Sequence, residues 1–149
     1  MKKPLRTNIR IAFRDENDTV VKRDIEAWLF DEYFGLAVNK LTGAKPGEPI
    51  GELWDEENNC FIWAVTHVES GRSIFEGFYC LAEAAAYLKA AGESGFDWTK
   101  SMEELVKSPG FPAKIKGLQF DHFCDSLQRT EIPLCRCKYV EESEGELDV

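Results

Sequence analysis

Residues 60–92 read CFIWAVTHVESGRSIFEGFYCLAEAAAYLKAAG, and this stretch decides the fold. Two runs rich in β-branched and aromatic residues flank Ser70-Gly71, a pair that supplies a positive φ at its glycine, so the spacing predicts a β-hairpin. With Ser70 and Gly71 as a two-residue loop, Glu69 faces Arg72, His67 faces Ile74, Val65 faces Glu76 and Trp63 faces Phe78. The other side of the ribbon carries Ile62, Ala64, Thr66, Val68, Phe75 and Tyr79. Both faces are largely apolar, which suits an inner hairpin. Leu81, Ala84, Ala85, Leu88 and Ala91 follow at helical spacing and form a stripe able to cover one face.

Upstream, Leu5 to Arg14 alternates, with Ile9, Ile11 and Phe13 on one side and Arg10 and Ala12 on the other, which predicts a strand entering a turn at residues 15–18. Thr19 to Phe30 fits either a strand or a helical face, and the strand reading is favoured because it completes a hairpin. Phe34, Leu36 and Val38 alternate against Gly35, Ala37 and Asn39 in a third strand. Residues 42–59, TGAKPGEPIGELWDEENN, lack any period and hold two prolines and three glycines. They read as a long acidic loop, and a long loop inside a compact domain is usually functional or disordered.

Downstream of the hairpin, Gly92 is expected to stop the helix and Ser101-Met102-Glu103-Glu104 has the spacing of a capping box that opens a second one. Phe120, Phe123, Cys124 and Leu127 recur at i, i+3, i+4 and i+7, which predicts a third helix with Gly117 weakening its first turns. Pro133 leads into a short edge strand carrying Cys135, Cys137 and Tyr139. The architecture expected is α+β: an antiparallel sheet of about five strands with a helix packed on one face and a helical C-terminal segment. Residues 1–140 make the one domain on this reading. Residues 141–149 make an acidic tail of the composition that stays disordered.

The chain has 149 residues, enough for one domain with a real core, and a formal net charge of -9. That charge disfavours binding to a nucleic-acid backbone, whose affinity comes largely from Lys and Arg displacing counterions, and favours a basic partner. No apolar run approaches the roughly 20 residues that a membrane helix needs, so no membrane partner is expected and the chain reads as cytoplasmic. Five cysteines, an odd count without regular spacing, read as reduced thiols.

The segment Trp63-Ala64-Val65-Thr66-His67-Val68-Glu69-Ser70-Gly71, followed by a strand, Gly77-Phe78 and an alanine-rich helix, resembles the W-x-V-T-H-V-x-[ST]-G hairpin of small uncharacterised bacteriophage and mobile-element proteins. No defined activity travels with that pattern, and Cys80 stands where a Thr or Ser cap is expected. What the resemblance implies is a setting. The order strand, strand, strand, hairpin, helix is also similar in topology to positive-cofactor-4-like and whirly-type single-stranded DNA binders, which back a curved antiparallel sheet with a helix.

Three constellations merit chemistry. His122, Cys124, Cys135 and Cys137 are the ligand types zinc takes, but their spacing matches no usual site, and on a helix His122 and Cys124 stand about 200° apart. No metal and no cofactor is expected. His67, beside Glu69 or Glu76, has the composition of an acid-base pair, yet no nucleophile or oxyanion donor accompanies it, so a small enzyme using His67 is an alternative and not the leading reading. The leading expectation is a non-catalytic protein-binding module of phage or mobile-element type. Its site is Trp54 with Glu52, Asp55, Glu56 and Glu57, because tryptophan is enriched among binding hot spots and the surrounding carboxylates suit a basic partner, such as a nucleic-acid-handling host protein that the module inhibits. A single-stranded nucleic-acid-binding module using Arg6, Arg10 and Arg14 is the second alternative, and homo-oligomer formation stays open.

Overall fold

Ile9, Ile11 and Phe13 on one run and Val21, Ile25, Ala27 and Leu29 on the next are spaced two apart, so a ribbon that pairs them puts one apolar side inward. β1 (Leu5–Arg14) and β2 (Val20–Leu29) do this over ten antiparallel pairs, from Leu5 opposite Leu29 to Arg14 opposite Val20. The strand reading of the second run therefore holds. Their turn is closed by Asp15, whose Oδ1 accepts the backbone N–H of Asn17 at 2.9 Å and of Thr19 at 3.0 Å. The computed structural model describes residues 4–43 and 47–128, with the side chains of residues 120 and 122–128 left out.

Seven further strands and three helices follow among the described residues. β3 (Leu36–Lys40), β8 (Trp63–His67) and β9 (Arg72–Phe78) complete a five-stranded antiparallel sheet in the order β1-β2-β3-β8-β9. Between β3 and β8 lie β4 (Thr42–Gly43), β5 (Gly51–Glu52), β6 (Trp54–Asp55) and β7 (Cys60–Phe61), paired β4 with β5 and β6 with β7. The stretch read as an aperiodic loop thus carries three short strands, at 42–43, 51–52 and 54–55. Its backbone is stitched in at Leu53, which donates to Leu41 C=O at 2.9 Å and accepts from Ile62 N–H at 3.2 Å. Strands of two residues are too short to show alternation, which is why no period announced them.

The central hairpin forms, with two corrections. His67 opposite Arg72 is its last pair, so four residues, 68–71, make the loop, closed by Gly71 N–H on His67 C=O at 2.8 Å. Two register shifts then displace β9 by one residue each, opposite Trp63/Ala64 and Val65/Thr66. Trp63 still faces Phe78, but Val65 faces Phe75 and Ala64 faces Glu76. A bulge flips the side-chain alternation beyond it. Phe75 accordingly lands on the helix-covered face, its ring 5.4 Å from Phe78 and stacked 5.1 Å from Tyr87.

α1 (Leu81–Gly92) covers that face with the expected stripe, Leu81, Ala84, Ala85, Leu88 and Ala91, to which Tyr87 is added. Beneath it lie Trp28, Leu36, Val38, Trp63, Val65 and Phe78, all buried. Each such large side chain contributes about 1.5 to 3 kcal/mol on leaving water. Cys80 is the N-cap residue and makes no side-chain cap bond. The helix ends at Gly92 for a reason of space: a Cβ there would stand 2.3 Å from the Tyr33 ring. α2 (Met102–Lys107) starts as expected, with Ser101 Oγ accepting Glu104 N–H at 3.2 Å; the Glu104 carboxylate takes the Ser101 hydroxyl proton and not its backbone N–H. α3 (Phe111–Gln128) begins nine residues before Phe120, and Gly117 lies inside it.

The second face of the sheet buries Ile9, Ile11, Ala27 and Ala37, with Phe13, Ile25, Leu29 and Val68 beside them. The sheet curls over this face until β1 meets the hairpin turn, where Ala12 N–H donates to Gly71 C=O at 2.9 Å. Gly71 has φ 72°, and a Cβ on it would fall 2.7 Å from the Arg10 carbonyl oxygen, so only glycine serves both the turn and the contact. Among the described residues no helix is long and apolar enough to cross a membrane. Cys135, Cys137, the strand after Pro133 and the acidic tail lie outside the described residues.

Candidate functional site

Trp54 stands on β6 opposite Phe61 on β7, and the two rings meet edge to face with centroids 4.8 Å apart at 84°. Its side chain is 39% exposed, so the indole is supported from one side and open on another. Glu52, Glu56 and Glu57 are exposed along the same extension. Asp55 has a different role. Its Oδ1 accepts Glu57 N–H at 3.1 Å and Asn58 N–H at 3.3 Å, and its Oδ2 accepts the Asn58 amide at 2.6 Å. That carboxylate builds the β6–β7 turn, an Asx arrangement, and its lone pairs are largely spent there. The exposed carboxylates nearest Trp54 in sequence are therefore Glu52, Glu56 and Glu57.

Behind Trp54 runs a ladder of rings and cations that sequence reading did not find. Lys40 Nζ lies 4.5 Å from the Phe61 ring centroid and 5.5 Å from that of Trp63; Trp63 packs 5.2 Å from Trp28; the Arg6 guanidinium lies 5.4 Å from Trp28. Each cation–ring contact of this kind contributes about 0.5 to 1 kcal/mol near the surface. Arg6 with Trp28 and Lys40 with Trp63 are direct cross-strand partners. The correct register would have revealed both. The ladder anchors Trp54 to the core through Phe61, so the exposed ring does not stand on a loose loop.

Comparison of the chain with family models, curated proteins and solved structures finds no match.

The three arginines of the nucleic-acid alternative are each held by a carboxylate. Arg6 meets Glu26 at 2.8 Å, Arg10 meets Asp24 at 3.2 Å and Arg14 meets Asp18 at 3.4 Å. All three pairs are exposed, and an ion pair of that kind is worth only about 0 to 1 kcal/mol.

His67 is wholly buried. Its Nε2 lies 2.8 Å from the Lys100 carbonyl oxygen, an atom that can only accept, so Nε2 carries the proton and Nδ1 accepts. Nδ1 receives the Ser70 hydroxyl at 2.7 Å and the Ser70 N–H at 3.3 Å. A hydroxyl on an imidazole nitrogen is the geometry of an activated nucleophile, but Ser70 Oγ also accepts Arg72 N–H at 3.2 Å, and the whole set ties the turn to the segment before α2. Among the described residues, neither His67 nor Ser70 lines the clefts formed where β1 passes β9.

Two phenols and one carboxyl titrate away from their ordinary ranges. Tyr33 donates to Glu93 Oε1 at 2.7 Å, and that bond to a carboxylate, with lesser help from burial, pushes it up to about 12. Burial alone pushes Tyr87 up to about 12. Asp97 is lowered by the bonds it accepts from the Thr99 hydroxyl and N–H. None of the three adjoins Trp54 in sequence or shares its strands. Among the described residues no group of three or more His, Cys, Asp or Glu side chains could hold a metal. His122, Cys124, Cys135 and Cys137, the metal candidates, fall outside the described side chains.

Proposed function

We propose that the protein is a non-catalytic protein-binding module that presents the β4–β7 extension to a basic partner. Trp54 is the anchor, and Glu52, Glu56 and Glu57 supply the complementary charge. The observation that carries this reading is an indole 39% exposed yet braced by Phe61. A pre-positioned aromatic loses little conformational freedom on docking, which is what makes such residues binding hot spots. The net charge of -9 supports attraction to a cationic surface. Within this reading, a nucleic-acid-handling host protein is the partner class whose basic groove such a surface would occupy, and a phage or mobile element is the setting in which such an inhibitor would act.

The test is retention of a basic protein by immobilised wild-type protein against two variants, Trp54→Ala and the triple change of Glu52, Glu56 and Glu57 to Gln. The charge variant should keep the wild-type melting temperature, since exposed charges contribute little to stability, Trp54→Ala should lower it by a few degrees at most, and both should lose the partner. A single-stranded oligonucleotide bound at physiological salt, with both variants binding it as well as wild type, would replace this reading with the nucleic-acid one.

A further inference from the structure

The curl of the sheet leaves a cleft where the β1–β2 hairpin passes the start of β9. It has a volume of about 330 Å³ and is lined by Ala12, Phe13, Arg14, Val20, Arg72 and Ser73. That volume falls at the lower end of sites for small organic ligands, roughly 300 to 1,000 Å³. A smaller inner cleft of about 60 Å³ shares Ala12, Phe13 and Ser73 with it and continues inward to Asn39, Thr66 and Glu76, whose carboxylate accepts the Ser73 hydroxyl at 3.1 Å. There the Thr66 hydroxyl donates to Asn39 Oδ1 at 2.6 Å, with both residues buried, so the inner end is polar and already satisfied.

The outer cleft concentrates positive charge in a protein whose total is negative. Arg72 has no carboxylate partner among the described residues, and Arg14 is held only by Asp18, through its carbonyl oxygen at 2.9 Å and its carboxylate at 3.4 Å, in a pair whose side chains are 60% and 84% exposed. Such an exposed pair is worth about 0 to 1 kcal/mol and exchanges readily for a better-placed anion. Two guanidinium forks offer planar, paired donors of the kind that match phosphate and carboxylate oxygens. Between them lie the half-buried Phe13 ring and Val20, whose side chain is 51% exposed, an apolar surface with no partner of its own on the solvent side.

We propose that this cleft binds a small organic oxyanion, phosphate or carboxylate, whose charged group is held by Arg72 and Arg14 and whose apolar part lies against Phe13 and Val20. The site is separate from the Trp54 extension, so it stands or falls independently of the protein-binding reading.

Calorimetric titration of the whole chain with four probes tests it: phenyl phosphate, benzoate, inorganic phosphate and phenol. Phenyl phosphate or benzoate should bind saturably at one site, the tighter of the two naming the oxyanion, with inorganic phosphate and phenol at least about tenfold weaker because each offers only half of the complement. Arg72→Gln and Phe13→Leu should each weaken the better probe by at least about fivefold, whereas Arg10→Gln, whose side chain lies outside the cleft and pairs with Asp24, should leave it unchanged. Three results would overturn the proposal: no saturable heat with any probe up to about 10 mM, binding that survives Arg72→Gln, or binding that Arg10→Gln weakens equally. Melting temperatures of the three variants, measured alongside, separate lost binding from lost structure.

Discussion

The Nε2 of His67 donates to the Lys100 carbonyl oxygen at 2.8 Å, joining the turn of the central hairpin to the segment that enters α2. The ring that looked like an acid-base candidate in sequence is a rivet between two parts of the chain. Trp98, 2% exposed, completes the joint by donating its indole N–H to Ala91 C=O at 2.9 Å.

Removing that rivet should cost stability out of proportion to the size of the side chain. His67→Ala removes a buried ring, takes the donor from the Lys100 carbonyl and leaves a void beside Trp98, an expected loss of about 2 to 4 kcal/mol. Ser70→Ala removes only the hydroxyl that orients the ring, for about 1 kcal/mol. Urea unfolding of both variants checks the order; a His67→Ala protein as stable as wild type would mean that the bond to Lys100 does not hold in solution.

Two glycines make opposite predictions. At Gly35, φ is 89° and a Cβ would stand 2.3 Å from the Trp98 carbonyl oxygen, so Gly35→Ala should cost about 3 kcal/mol or more. Gly117 lies inside α3 with nothing within 4 Å of a Cβ, so Gly117→Ala should stabilise by about 0.5 to 1 kcal/mol. Thermal melts of the pair read both signs at once.

Tyr33 gives a pH signature. Its folded value, about 12, lies above the ordinary 10.0, so the stabilisation from its bond to Glu93 is fully present below pH 10 and is lost as pH rises through 12. The group is solvent-accessible, so the effect on stability is small and the phenolate absorbance is the better readout. Tyr33→Phe should remove one ionisation near pH 12, and Glu93→Gln should bring that ionisation down toward 10. A wild-type ionisation near 10 that Tyr33→Phe removes would show that the bond is not made.

The elements legible in sequence were those with a long period or a cap: ten-residue β1, the stripe on α1, and Ser101 with Glu104. What escaped depended on register. The one-residue shifts in β9 moved Phe75 under the helix and Glu76 away from it, and nothing in composition marks such a shift. Placing Lys40 opposite Trp63, and so finding the ladder behind Trp54, needed the β3–β8 register across a gap of more than twenty residues. Glu52, Trp54, Glu56 and Glu57 were found as a composition and remain exposed, whereas the role of Asp55 in its turn became visible only with the folded β6–β7 pair.

Trp63, 1% exposed at the centre of the main core, should be the costliest aromatic to truncate. Trp63→Ala is expected to lose about 3 to 5 kcal/mol, enough to consume much of a small domain's stability. Trp54→Ala should lose about 1 kcal/mol or less, since its ring gives up chiefly the edge contact with Phe61. Comparable losses at the two positions would contradict the division between core and surface tryptophan.

The most direct measurement of the central claim is site-specific photo-crosslinking, with a benzophenone amino acid replacing Trp54 in one protein and Phe34, 73% exposed in the turn before β3, in another. The account predicts a covalent adduct with a basic protein from position 54, none from position 34, and loss of the adduct when Glu52, Glu56 and Glu57 are changed to Gln. Adducts of equal yield from both positions, or none from position 54 while position 34 reacts, would contradict it.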